Sequence, residues 1–194
     1  MKVHLVYAHP LPDSFAGAAL ARVRGALEAA GHTVDVLDLY AEGFDPRLSP
    51  EERRIYHDVP ANRAPVADYV ARLQSADALV LVFPAWNFGP PAILKGWFDR
   101  VLLPGVSFDI VDGRIRPALT NITRFAVVTS YGQQGWVVRW VIGNPLRKQL
   151  LRAMRWCMNR RVRTLWLPFY NMNTADQARC KRFLARLDRT FRRF

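Results

Sequence analysis

The chain has 194 residues, of which 51% are hydrophobic and 12% aromatic, so one substantial core and a single domain over residues 1–194 are expected. No apolar run reaches the roughly 18 residues of a membrane span. No cleavage site follows the short apolar N-terminus, so we expect a cytoplasmic protein without an integral membrane segment. Two cysteines and four histidines without metal-ligand spacing predict no metal site.

The net charge of +12 is concentrated in the second half of the chain. After Ser130 come the basic stretches RKQLLRAMR, NRRVR, RCKRF and RTFRRF. Such a surface can contact an anionic partner, and nucleic-acid binding would rest on this charge alone. We favour the simpler interpretation of solvated basic helix faces, and therefore expect no nucleic-acid partner.

The first elements alternate between strand and helix. The opening KVHLVYA is an apolar strand that ends at a His-Pro pair. Apolar residues then recur with helical spacing from Phe15 to Ala30, with Ser14 as the N-cap and Gly31 as the stop. Residues 32–39 alternate apolar and polar side chains, which predicts a second strand.

The middle of the chain continues this alternation. Residues 40–61 have the composition of a loop, and residues 62–75 carry a weaker helical pattern. The run DALVLVFP, residues 77–84, is continuously apolar, as in strands buried on both faces of a parallel sheet. Residues 91–103 form a helix with one apolar stripe, and residues 104–121 look like an excursion from the main fold.

The last elements complete the pattern with the strand RFAVVTS, the helix NPLRKQLLRAMRWCM, the strand RVRTLWLPF and the amphipathic helix TADQARCKRFLARLDRTF. Five strands that alternate with helices predict an α/β fold with a doubly wound parallel sheet. Five strands suit the flavodoxin-like order 2-1-3-4-5.

The helix over residues 91–103 also bears on assembly. Trp97 and Phe98 are interpreted as core residues rather than ligand contacts. They are not expected both to face a single intramolecular core, and an aromatic stripe left at the surface would predict a homodimer.

A ligand of such a sheet lies beyond the carboxyl ends of the strands, where three unusual loops meet: AHPLPDSF, FPAWNFGPP and TSYGQQG. The first loop leads into a helix, so the free N–H groups of Ser14, Phe15 and Ala16 and the Ser14 hydroxyl suit a phosphate. His9 either donates to a ligand oxygen or has a structural hydrogen bond. The absence of GxGxxG and GxxxxGK[ST] argues against Rossmann dinucleotide and Walker sites.

The second loop has the composition of a wall for a planar ring. Trp86, Asn87 and Phe88 supply flat apolar surface and a polar edge. Gly89 is expected to let the backbone approach the ring, so that a side chain there would block it and any positive φ would add strain.

The third loop offers consecutive backbone amides at Thr129, Ser130, Tyr131 and Gly132, which suit the polar edge of a ring. The chain shows no persuasive Ser-His-Asp or Cys-His arrangement. A cofactor is therefore expected to supply the chemistry.

The motif FP-x-W-x-FG-PPAILKGWFDRV, with AHP-x3-SF upstream and TSYG downstream, resembles the flavodoxin-like NAD(P)H:quinone oxidoreductase family over nearly the whole chain, more loosely after Gly135. The resemblance implies a bound flavin, either FAD or FMN, with NAD(P)H as co-substrate. It also implies ping-pong reduction of a small quinone-type acceptor by a homodimer. It implies that the phosphate end of the flavin is bound by His9, Ser14 and Phe15. The isoalloxazine ring would be lined by the residues of the second loop: Pro84, Ala85, Trp86, Asn87 and Phe88. The pyrimidine edge of the ring would contact Thr129, Tyr131 and Gly132.

Two positions depart from this family pattern. The chain has Ala16 where relatives often carry Asn, and Asn87 where many carry an aromatic residue. The catalytic Tyr and His of the animal enzymes have no clear counterpart in QQGWVVRWVIGNP, so no catalytic residue is assigned.

Two functions stay open at this point. The first is the enzyme that the resemblance implies. The second is a non-enzymatic flavin-binding electron carrier, or an accessory subunit of an ion-transport system. The natural acceptor and the choice of NADH or NADPH are also open, although Arg139, Arg147 and Lys148 could favour the extra phosphate of NADPH.

Overall fold

The computed structural model describes residues 1–194 and contains seven strands: β1 Lys2–Tyr7, β2 Thr33–Asp38, β3 Ala78–Pro84, β4 Phe108–Val111, β5 Arg114–Pro117, β6 Arg124–Ser130 and β7 Arg163–Phe169. Five of them form a parallel sheet in the order β2-β1-β3-β6-β7. This is the predicted order 2-1-3-4-5. All seven residues of β3 are buried, as the continuous apolar run predicted.

Six α-helices accompany the sheet: α1 Phe15–Ala29, α2 Pro50–Arg54, α3 Ala67–Gln74, α4 Ala92–Val101, α5 Pro145–Lys148 and α6 Gln177–Phe191. Two 3₁₀ helices span Ala61–Val66 and Met172–Thr174, and two π-helices span Val137–Val141 and Gln149–Met154. No helix combines the length and the apolar character that a membrane crossing requires.

The helices cover both faces of the sheet. Side chains of β3 alternate between two cores, since Leu81 lies in the larger cluster and Val80 in the other. The larger cluster packs against α3 and α4, and the other against α1 and α6. This arrangement leaves the two edges of the sheet, where the strands begin and end, for the connecting loops.

The stretch over residues 40–61 is not entirely loop, because it contains α2. The Ser49 side chain accepts from the Glu52 N–H at 3.1 Å, and the Glu52 carboxylate accepts from the Ser49 N–H at 2.9 Å. This capping box, with Pro50 in the first turn, can be recognised in the sequence SPEE.

The interpretation that Trp97 and Phe98 cannot share one core is wrong, because their exposed fractions are 0% and 7%. The stretch before α2 packs against α4. A methyl group at Gly96 would collide with the backbone of Pro46, so the two segments touch. Arg100 of α4 also pairs with Glu52 at 2.6 Å. The aromatic stripe of α4 therefore gives no support to the expected homodimer.

Candidate functional site

Three loops meet at the carboxyl edge of the sheet, where β1, β3 and β6 end. The His9 and Trp86 rings, from the first and second loops, lie 5.9 Å apart between centroids. The Ala85 N–H donates to the Ser130 carbonyl at 2.8 Å and joins the second loop to the end of β6. The topology therefore brings the predicted loops together.

The first loop presents the N-terminus of α1. The Ser14 Oγ accepts from the Gly17 N–H at 3.1 Å, which confirms Ser14 as the N-cap. The N–H groups of Phe15 and Ala16 precede the first helical hydrogen bond and donate to no protein acceptor. These two donors at the positive end of the helix dipole suit an anion.

Gly17 holds this loop against the helix, and sequence reasoning missed it. A Cβ atom at Gly17 would collide with the carbonyl oxygen of Pro12 and would lie 3.4 Å from the Tyr7 hydroxyl. Only glycine permits this approach. The signal available in the sequence was its place in the first turn, three residues after the N-cap.

His9 is half-buried at the start of the loop. Its Nδ1 lies 3.0 Å from the Leu11 nitrogen and 3.1 Å from the Leu11 carbonyl oxygen. In the tautomer whose Nδ1 accepts from the Leu11 N–H, Nε2 carries the proton and is a donor. His9 therefore combines a structural hydrogen bond with one available donor.

The second loop turns sharply between Trp86 and Gly89. The Trp86 N–H donates to the Gly89 carbonyl at 3.0 Å, and the Gly89 N–H donates to the Trp86 carbonyl at 2.9 Å. The two residues between them have positive φ, 48° at Asn87 and 61° at Phe88. This is the type I′ pattern, which asparagine tolerates well and phenylalanine rarely adopts. Backbone strain at Phe88 is a mark of functional sites.

One part of the expectation for Gly89, a positive φ, is wrong, and the close approach of its backbone to a ring stays a prediction. Its φ is not positive, and a Cβ atom there would meet only the Trp86 carbonyl oxygen at 3.8 Å. The strained positions precede it, so a side chain at Gly89 is compatible with the fold.

A pocket of about 170 Å³ lies between the second and third loops and is lined by Ala85, Asn87, Phe88, Tyr131, Gly132, Gln133 and Asn173. Tyr131 stacks on Tyr170, with ring centroids 5.3 Å apart. Burial, with a smaller contribution from Tyr170, raises the pKa of Tyr131 far above its usual range, so its phenol stays neutral. Flat rings and backbone amides thus border the pocket.

Three predicted residues place their side chains elsewhere. Pro84 is buried as the last residue of β3. Phe15 packs against Phe169 at 4.9 Å between centroids, on the α1 side of the sheet. Thr129 is also buried and borders, with Phe15, a separate small void on that side. Phe15 and Thr129 are therefore able to contact a ligand in the pocket only through the backbone. Trp86, 44% exposed, lies outside the residues that line the pocket.

The segment after β7 completes the pocket and was missed. The Met172 N–H donates to the Tyr131 carbonyl at 2.9 Å, and the Asn171 N–H donates to the Gln133 carbonyl at 2.8 Å. These bonds bring Asn173 to the wall, beside Gly132. The sequence YNMN follows a strand at the same edge, which is the signal that could have indicated it.

The residues present fit a flavin. The α1 N-terminus suits its phosphate, and Phe88 and Tyr131 suit its ring. The Tyr170 hydroxyl, whose ring stacks on Tyr131 of the pocket, is buried without a hydrogen-bond partner. Such orphaned polar atoms are rare in folded proteins and are consistent with a polar ligand nearby.

The fold and the pocket together define a flavodoxin-like α/β protein. A family model described as flavodoxin-like fold matches residues 1–189. The ribosyldihydronicotinamide dehydrogenase [quinone] of Pongo abelii is 38% identical over 158 residues, which cover 69% of this chain and 68% of that protein. An FMN-dependent NADH:quinone oxidoreductase of Lachnoclostridium phytofermentans is 32% identical over 105 residues, 53% of this chain and 52% of its own.

A solved structure gives the same result over the full length. The NAD(P)H:quinone oxidoreductase from Methanothermobacter marburgensis superposes with a TM-score of 0.85 at 28% identity, covering 99% of this chain and 98% of that chain. The chain belongs to the flavodoxin-like NAD(P)H:quinone oxidoreductase family.

Proposed function

We propose that the chain binds a flavin at the carboxyl edge and catalyses NAD(P)H-dependent, two-electron reduction of a quinone or a similar small acceptor. The observation that carries the proposal is the convergence of two free helix N–H groups, a strained aromatic turn and a tyrosine-walled pocket. FMN and FAD both fit this description. The relative named as FMN-dependent favours FMN, and chromatography of the released flavin decides.

The residues have distinct roles in this proposal. The N–H groups of Phe15 and Ala16 bind the phosphate end, with Ser14 and His9 beside them. Phe88 and Tyr131 contact the ring, and the backbone at Gly132 meets its polar edge. A bound flavin supplies the two-electron transfer between donor and acceptor.

The electron carrier remains the competing function, and steady-state kinetics separate the two. We expect NADPH oxidation by the flavin-loaded protein to rise strongly when menadione is added. The flavin ring would occupy the pocket of about 170 Å³ against Phe88 and Tyr131, so donor and acceptor would use its open side in turn. Double-reciprocal plots should be parallel. Intersecting lines would contradict alternate use of the pocket, and absence of turnover would favour the carrier.

The proposal includes a homodimer. Apolar side chains are exposed in the segment that follows the third loop, with 59% of Trp136, 82% of Trp140 and 65% of Val141 accessible. Exposed apolar groups of this size are typical of interfaces, and a second copy would add a wall to the small pocket. Light scattering should give twice the chain mass of 22.2 kDa at micromolar concentration, and a monomer mass would contradict the dimer. A cytoplasmic location, where NAD(P)H is available, is also part of the proposal and is tested by cell fractionation.

Arg139 is the residue we propose to favour NADPH. Its guanidinium lies 5.2 Å from the centre of the Tyr170 ring, and Tyr170 stacks on the pocket wall at Tyr131. A guanidinium held beside the pocket wall is suited to bind the additional phosphate of NADPH. A ratio of kcat/KM for NADPH over NADH that is unchanged in Arg139→Gln would contradict this role.

A further inference from the structure

A second cleft, of about 480 Å³, opens at the amino edge of the sheet, where β6 and β7 begin. Five arginines line it: Arg124, Arg163, Arg186, Arg189 and Arg193. The seven residues of β6 separate this edge from the third loop, a distance of about 20 Å at the usual strand rise. The cleft is therefore separate from the proposed flavin site.

The five arginines lack carboxylate partners. No acidic side chain lines the cleft, and none of the five takes part in an ion pair. The nearby carboxylate of Asp188 on α6 pairs instead with Arg192 at 2.8 Å, outside the cleft. Arg192 is the main cause of the lowered pKa of Asp188, to which Arg22 and Arg189 add more weakly. The cleft thus concentrates positive charge that no acidic side chain neutralises.

The fold does not explain this concentration. Basic residues near the end of α6 offset the helix dipole, which accounts for Arg189 and Arg193. Arg124 and Arg163, however, begin neighbouring strands and are register partners in the sheet. Like charges at directly opposed positions are destabilising. A bound anion would offset that cost.

We propose that this cleft binds a small anion that carries two or more adjacent phosphate groups. The planar guanidinium group donates two parallel hydrogen bonds to a phosphate, and several arginines suit several phosphates. The volume is within the range for small-molecule sites. Leu165 and Phe194 give the cleft an apolar part, and Arg124 lies 5.6 Å from the centre of the Phe194 ring. A nucleotide and an inorganic polyphosphate share this chemistry.

Calorimetric titration tests the proposal, using flavin-loaded protein freed of excess flavin, at about 0.15 M salt. The probes are inorganic tripolyphosphate and ADP. We expect saturable binding of one ligand per chain, with the visible spectrum of the flavin unchanged because the two sites lie at opposite edges. In the variant Arg124→Gln with Arg163→Gln, affinity should fall at least about tenfold, since two charge-assisted contacts are lost.

The matched control is Arg152→Gln with Arg182→Gln, two exposed arginines outside the cleft, which removes the same charge. Its affinity should fall less than about threefold, since neither side chain lines the cleft and both charges are screened by solvent. The independent pair Arg186→Gln with Arg189→Gln should repeat the loss. Tighter binding of ADP than of tripolyphosphate would support the proposal with a nucleotide as ligand, and equal or tighter binding of tripolyphosphate would support it with phosphate contacts alone. Equal losses in cleft and control variants, no saturable binding, or binding only of a single-stranded oligonucleotide would overturn it.

Discussion

Buried polar groups are paired in the ion-pair network between β1, β2 and α3, whereas a buried polar group is left unpaired at the pocket of the carboxyl edge. In the network, the Asp35 carboxylate accepts from His4 Nδ1 at 2.8 Å and from Arg72 Nη2 at 2.9 Å. Arg72 also pairs with Glu42 at 2.8 Å. At the pocket, the Tyr170 hydroxyl behind Tyr131 has no partner, and Phe88 has left-handed backbone geometry.

We interpret the paired network as a feature that stabilises the fold, and the unpaired group and strained backbone at the pocket as features of a binding site. Nearly every polar atom of the network is used within the protein, and only Nε2 of His4, near the Trp97 ring, lacks a partner. Buried groups that are paired in this way support the fold. Unpaired groups and strain persist where the surrounding structure enforces them, which is typical of binding sites. Changes in the pocket should therefore affect flavin binding first, and changes in the network should affect unfolding first.

The largest expected effect comes from Gly17→Ala. The added methyl group collides with the Pro12 carbonyl and displaces the first loop from the N-terminus of α1. Loss of two charge-assisted N–H contacts should weaken FMN binding by about 100-fold. The measurement is fluorescence titration of apoprotein with FMN, on variants whose circular dichroism shows a folded chain.

Gly25→Ala on the same helix is the matched control, because a methyl group there meets no atom within 4 Å. It should leave flavin affinity unchanged and raise the free energy of unfolding by about 0.5–1 kcal/mol. A folded Gly17→Ala variant that binds flavin as tightly as Gly25→Ala would show that the first loop does not hold the phosphate.

Phe88 tests strain and ring contact together. Both Phe88→Ala and Phe88→Gly remove the apolar wall, and both should weaken flavin binding at least about tenfold. Because φ is 61°, the Gly variant should be more stable than the Ala variant by about 1 kcal/mol, the reverse of the usual order. Urea unfolding of the apoproteins gives this difference. An Ala variant as stable as the Gly variant would mean that the turn relaxes without cost.

Asn87 should affect acceptor choice rather than flavin retention. It is exposed at the pocket, and glycine fits its φ of 48° without strain. Asn87→Gly removes an amide and widens the pocket, so the ratio of kcat/KM for menadione over benzoquinone should rise by about threefold to tenfold. Flavin content should equal that of the parent. An unchanged ratio would place Asn87 away from the acceptor.

The smallest expected effect is a pH-dependent change in the free energy of unfolding, and it arises from His4 in the ion-pair network. Burial lowers the pKa of His4, although its hydrogen bond to Asp35 opposes the change. The unfolded chain takes up a proton near the ordinary histidine pKa of about 6.5 before the folded chain does. The stability that the folded chain gains from burying neutral His4 is therefore present above pH 6.5. It is lost as the pH falls towards the pKa of His4 in the folded chain. His4 should contribute a decrease of about 1 kcal/mol in the free energy of unfolding between pH 7.5 and 5.5.

Urea unfolding of the parent and of His4→Gln at both pH values isolates this contribution. The Gln variant should show a smaller decrease, whereas His57→Gln, at an exposed position, should keep that of the parent. Equal decreases in the parent and His4→Gln would mean that His4 keeps its ordinary pKa in the folded chain.

The sheet and most loop positions could be predicted from the sequence because local patterns determine them. The apolar run of β3, the Ser14 cap and the alternation of elements each reflect a short-range rule. The place of Asn173 in the pocket wall and the packing of Pro46 against Gly96 could not be predicted in this way, because they depend on contacts between distant segments. The geometry at Phe88 also escaped prediction, since left-handed phenylalanine contradicts local preference.

The most direct test of the central claim is the visible spectrum of the purified protein, followed by titration of the apoprotein with FMN and FAD. We expect flavin absorbance that is released on denaturation, and saturable rebinding of one flavin per chain. A colourless protein that binds neither flavin would contradict the proposed function.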